Sequence, residues 1–131
     1  KKKKIESLLQ PRVALPSGGS LIIEQTSAMT PIDVNTGADS GSSGAALTAN
    51  LEAVVALPRE LRLRGIGGLF AVDFVSLGDS AAWRQVLDAL QQALEGDGAC
   101  GRVHRVEPLG VALFTRRQAA ASLAEMVRGN D

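Results

Sequence analysis

The stretch LFAVDFVSL, residues 69–77, is almost wholly apolar and is bounded by turn residues, with glycines at 65, 67, 68 and 78. A short apolar run with such flanks reads as a strand covered on both faces, central in a sheet. One carboxylate, Asp73, interrupts it. A charge in such a run is costly unless it is paired or bound to a cation.

Outward from this strand the chain alternates. On the N-terminal side, residues 47–63 carry Leu47, Leu51, Val54, Val55 and Leu61 at helical spacing, with Asn50 and Glu52 polar among them. Pro58 lacks an amide hydrogen and clashes with the preceding turn, so a kink or a break into two helices is expected just before it. RGIGG, residues 64–68, closes the helix with glycines. Further upstream, LIIEQT (21–26) and AMTPIDV (28–34) read as two strands joined by a tight turn near Thr26–Ser27. Pro31 leaves the second strand locally unpaired or at an edge. LPSGGS (15–20) is a turn, and residues 5–10 end a short helix stopped by Pro11.

On the C-terminal side, Asp79 or Ser80 caps a helix over 81–94 with a stripe of Trp83, Val86, Leu87 and Leu90. EGDGACG is a loop, RVHRVEP and GVALF are strands, and 118–128 is a final amphipathic helix. The order ββαβαββα predicts an α/β (mixed α+β) fold, a mixed sheet packed by about three helices. Residues 1–10 are a tail or the end of a preceding element, and 11–131 form one domain.

The chain has 131 residues, 45% hydrophobic but only 3% aromatic, so its core is built of Leu, Val, Ile and Ala. The net charge of zero hides a split. Lys1 to Lys4 are four of 14 basic residues, and without them the body carries more acid than base. That is not a surface that binds nucleic acid by charge alone. Such a role requires local arginines or a metal ion. The single cysteine, Cys100, excludes an internal disulfide and suits a reducing, cytoplasmic setting. No apolar run reaches the roughly 18 residues of a membrane span, and no signal peptide is visible. The chain starts without Met and reads as a piece of something longer.

Asp33 repeats the setting of Asp73: an apolar lead-in, a carboxylate, then a polar loop, TGADSGSSG (36–44). That loop is either a linker or the mobile border of a site. Two aspartates at the ends of adjacent strands repel one another as bare anions, and become favourable around Mg²⁺, which takes few hard oxygen ligands. Asn35 lies two residues past Asp33, so both side chains share a face of an extended segment. The blander reading of Asp73 is a loop cap or a partner for Arg62 or Arg64. His104, the one histidine, reads as a surface or strand-packing residue, and Trp83 and Phe114 as core. Gly65, Gly67 and Gly68 precede a strand rather than a helix, which excludes a dinucleotide-binding loop.

LPSGGSLIIEQTSAMTPIDVNTG (15–37), NLEA (50–53), LRLRGIGGLFAVDF (61–74) and, more loosely, LGVALFTRRQ (109–118) resemble the ribonuclease E/G family in its deoxyribonuclease-I-like catalytic subdomain. The resemblance implies Mg²⁺-dependent endonucleolytic cleavage of single-stranded RNA, leaving 5′-phosphate and 3′-hydroxyl ends. It places the metal on Asp33 and Asp73, with Asn35 supporting the site. Arg62, Arg64, Arg116 and Arg117 are candidate RNA phosphate contacts or, equally, solvated charges at helix ends and turns. The resemblance also implies partner domains in a longer chain, among them an S1-like RNA-binding region, and leaves room for a homo-oligomer. The chain departs from the family pattern at Ser76, Cys100, Leu109 and Leu113. These departures, with the acidic body, support a rival reading: a degenerate member that binds RNA or a protein without cutting. The joint presence of Asp33, Asn35 and Asp73 opposes it.

Overall fold

In the computed structural model, which describes residues 10–37, 44–107 and 109–118, six strands form one mixed sheet and two helices pack on it. The strands are β1 (Arg12–Ala14), β2 (Ser20–Ile23), β3 (Thr30–Asn35), β4 (Gly68–Asp73), β5 (His104–Val106) and β6 (Val111–Arg116). The helices are α1 (Ala45–Arg64) and α2 (Ser80–Glu95). Spatial order is β1-β2-β3-β4-β6-β5. Only β3 and β4 run parallel, joined by the α1 crossover. All other neighbours are antiparallel. The mixed α+β architecture expected from the sequence is present. The expected helices over 5–10 and 118–128 fall almost wholly outside the described residues.

The core lies between the helices and one face of the sheet. Leu21, Ile23, Ile32, Val34, Phe70, Val72, Ala112 and Phe114 point into it from the strands. Ala49, Ala53, Val54, Leu57 and Leu61 meet them from α1, and Val86, Leu87, Leu90 and Leu94 from α2. Phe70 and Phe114, opposite each other in register, stack with ring centroids 5.1 Å apart.

Three expectations need correction. First, β4 is central but not covered on both faces. Phe70 and Val72 are buried, while Leu69 and Asp73 on the alternate face are exposed, because both described helices lie on one side. Second, α1 runs unbroken through Pro58, so the expected division into two helices is absent. The missing proline bond costs about 3 kcal/mol. Burial of Val54, Leu57 and Leu61 around it returns roughly 1.5–3 kcal/mol per side chain. Third, a short edge strand, β1, precedes the turn at 15–20 and pairs with β2.

Helix boundaries follow local chemistry. Gly65 adopts the left-handed conformation (φ 64°). Its N–H donates to the Arg62 carbonyl and the Ile66 N–H donates to the Leu61 carbonyl, the two-bond glycine cap that turns the chain into β4. At the start of α2 the Asp79 side chain accepts from the Ala81 N–H at 2.9 Å, so Asp79 and not Ser80 is the cap.

Candidate metal and catalytic site

The open face of the sheet is set by strand parity. Along β3 the buried positions are Thr30, Ile32 and Val34, so Pro31, Asp33 and Asn35 face outward. Along β4 the outward set includes Asp73. Parallel pairing puts Asp33 directly beside Asp73. Neighbouring strands lie about 4.8 Å apart, so the two carboxyl groups meet. Asp73 is pushed above the ordinary carboxylate range. The first cause is loss of surrounding water, followed by the negative charge of Asp33 and a hydrogen bond shared with Asp33. A carboxyl–carboxyl hydrogen bond requires one proton between the two groups.

Among the described residues, no lysine or arginine forms an ion pair with either aspartate. Two adjacent oxygen donors, exposed to solvent and held together against their own repulsion, are a donor set that suits a hard divalent cation. No cluster of three or more His, Cys, Asp or Glu occurs among the described residues. A cation here would therefore take these two carboxylates and complete its shell with water or substrate, as Mg²⁺ does. Asn35 shares the strand and the exposed face with Asp33.

Two clamps from α1 hold the loops flanking this pair. Asn50 is fully buried and binds the backbone of Val75 twice: its Oδ1 accepts from the Val75 N–H and its Nδ2 donates to the Val75 carbonyl, both at 2.9 Å. Val75 follows Asp73 by two residues, just where the ladder of β4 ends. Glu52, one half-turn on, accepts from the Ser17 hydroxyl at 2.7 Å and from the Ser17 N–H at 3.2 Å. The Ser17–Gly19 turn in its turn lies against the end of β3, where a Cβ on Gly19 would stand 2.4 Å from the Asn35 carbonyl oxygen. Neither clamp was assigned a role from the sequence. The available signal was an Asn followed two residues later by a Glu in the mostly apolar first half of a helix.

The other candidate residues lie elsewhere. Arg62, Arg64 and Arg116 are at the opposite end of the sheet, since Arg116 pairs with Gly68 at the start of β4. Five residue steps at about 3.3 Å each separate that end from Asp73. Arg64 is buried, paired with Glu60 at 3.3 Å and donating to the Gln10 carbonyl. Arg116 is buried too, bound to Asp97 at 3.1 Å and to the Ile66 carbonyl at 3.1 Å. Arg117 donates to the Gly98 carbonyl. Arg62 and Arg117 are exposed, Arg62 by about half and 3.9 Å from Asp97. Burial alone would raise the Asp97 carboxyl, but the Ala99 amide and the Arg116 and Arg62 guanidinium groups outweigh it and hold Asp97 below its ordinary value. Cys100 bridges to Arg116 at that same end, away from the aspartates. Burial, and then the Asp97 charge, push its thiol up. His104 is exposed on β5.

The family model described as Ribonuclease E/G family matches residues 1–119. The chain belongs to the ribonuclease E/G family. Ribonuclease G of Salmonella typhimurium is 38% identical over 126 residues, which cover 94% of this chain and 26% of that protein. Ribonuclease E of a Nostoc species is 39% identical over 125 residues, covering 93% of this chain and 18% of the relative. A chloroplastic ribonuclease E/G-like protein of Arabidopsis thaliana is 38% identical over 130 residues, covering 95% and 13%. The chain thus spans about a quarter or less of the relatives it matches. No helix among the described residues is long and apolar enough to cross a membrane.

Proposed function

We propose that this chain carries the metal-binding part of an endoribonuclease that hydrolyses phosphodiester bonds of single-stranded RNA with Mg²⁺. The observation that supports this most is the Asp33–Asp73 pair. Two carboxylates are pressed together on an open sheet face, with no ion pair to either among the described residues, in a chain of the ribonuclease E/G family.

Asp33 and Asp73 hold the metal. When bound, Mg²⁺ supplies charge neutralisation at the phosphate and lowers the pKa of a coordinated water. Asp73 must give up its proton to serve, and its raised pKa makes that step sensitive to pH. Asn35, one strand repeat from Asp33, offers an amide N–H to a phosphate oxygen or an acceptor to the attacking water. The open face leaves room for an extended strand of RNA to lie across both carboxylates. Further domains of a longer, cytoplasmic chain supply the grip on RNA, because Arg64 and Arg116 are buried and bonded inward and Arg62 lies at the far end of the sheet from the aspartates.

The test uses the chain extended to the length of its relatives, with a 5′-monophosphorylated, AU-rich single-stranded RNA. Cleavage is measured with Mg²⁺, with chelator, and in Asp33→Asn and Asp73→Asn. Metal-dependent cleavage lost in both variants supports the assignment. Cleavage that survives in either one removes that residue from the site. Binding without any cleavage returns the protein to the class of RNA-binding modules.

A further inference from the structure

A cavity of about 380 Å³ opens beside Asp73, on the β6 side of the carboxylate pair. Asp73 itself forms part of the wall. The loop that leaves β4 (Phe74 to Asp79) makes one side, and the β5–β6 turn at Leu109 and Gly110 makes the other. Trp83 of α2 lines it, partly exposed and fixed edge-on by Phe74 with ring centroids 5.6 Å apart. Leu109 stands on the wall 68% exposed, an apolar side chain without cover among the described residues. An ion pair between Arg105 and Glu107 also lines the space. The volume is in the range of small-ligand sites, roughly 300–1,000 Å³.

We infer that this cavity is a nucleobase subsite, taking the base of a nucleotide next to the scissile phosphate. The inference rests on the proposed cleavage at Asp33 and Asp73 for its placement. A phosphate held at the aspartates sits at the lip of the cavity, so the nucleoside on the β6 side is the part of the strand that reaches it. The indole of Trp83 and the side chains of Leu77 and Leu109 offer apolar surface to the faces of a flat heterocycle. The hydroxyls of Ser76 and Ser80 and the Glu107 carboxylate offer hydrogen bonds to its edge. Stacking against such surface accepts any base, because every base has a π face. The wall is also rigid: Asn50 fixes the Val75 backbone, and Asp79 caps α2.

The test scans an RNA with one abasic ribose placed in turn at each position around the cut, in the chain extended to the length of its relatives. Wild type is compared with Leu109→Ser, which alters an exposed side chain, and with Ser76→Trp, which fills the cavity. Base stacking contributes about 1–3 kcal/mol per base. Removing the base at one neighbour of the cut is therefore expected to lower kcat/KM about 5- to 150-fold in wild type. In both variants that penalty is expected to shrink at least threefold at that position only. Equal penalties at every position in wild type and both variants overturn the subsite. Fluorescence anisotropy with the same RNAs runs beside cleavage. Base-dependent binding at that position without cutting overturns the cleavage reading and keeps the subsite, and RNA that is neither bound nor cut overturns both.

Discussion

Asn50 offers a sharp test of how the fold controls the carboxylate pair. Replacing it with alanine removes both bonds to Val75 and leaves that residue's N–H and carbonyl without their partners. An unsatisfied buried polar group costs about 1–3 kcal/mol. Val75 is half-buried, so water recovers part of that for its two groups. The expected loss is roughly 2–4 kcal/mol. For a domain of this size about 1 kcal/mol shifts Tm by about 3–5 °C, so Tm should fall by roughly 6–20 °C. Asn50→Asp should cost at least as much, since it sets a buried carboxylate against the Val75 carbonyl. Asn50→Gln keeps the chemistry but lengthens the arm, and should recover little. Because Val75 lies two residues beyond Asp73, the loosened loop should also raise the half-saturating Mg²⁺ concentration, on the order of tenfold, where the variant is still folded. Calorimetry and a metal titration at a temperature below both transitions measure the two effects. An alanine variant with Tm within 2 °C of wild type and unchanged metal dependence would refute the reasoning.

Further expectations are narrower. Asp97 is held below its ordinary pKa, so its contribution to stability is present above the unfolded value near 3.9 and is lost as pH falls through the lower, folded value. Asp97→Asn should flatten that acid limb of a Tm–pH curve, and Arg116→Met, which strands a buried carboxylate, should cost about 3–5 kcal/mol by urea unfolding. Asp73 has the opposite sign: its raised pKa means the metal-free protein gains stability as pH falls through that value. Asp33→Asn removes the repulsion, so it should raise the metal-free Tm while abolishing Mg²⁺ binding by calorimetry. Gly19→Ala places a Cβ against the Asn35 carbonyl oxygen and should cost about 1–3 kcal/mol, read as a lower Tm and weaker metal binding together.

Periodicity carried much of this fold. The apolar alternation of β3 and the caps at Gly65 and Asp79 were readable because each is a local signal, set within a few residues. Asp33 and Asp73 stood out for the same reason, as carboxylates in apolar strands. What was hidden is non-local. Nothing in GLFAVD says whether one or both faces will be covered, because that depends on where the helices dock. Arg64 and Arg116 look like surface cations until Glu60 and Asp97 are brought beside them. Pro58 breaks an isolated helix, and only packing on the sheet explains why α1 continues. Asn50 looked like a polar interruption. Its role exists only because β4 ends beside it.

The parallel pairing of β3 with β4 has a consequence for the order of folding. The two aspartates are separated in sequence by the whole of α1, so no local hairpin can bring them together. Parallel, non-local pairing forms late, after the chain has met the entropy of closing the intervening loop. On a growing chain, β3 emerges with one carboxylate and no neighbour, and the second arrives only when α1 has docked and β4 has been made. A half-formed protein then has neither the repulsion nor the paired carboxylates, and any chemistry proposed for this pair is open only to a chain that has completed its sheet.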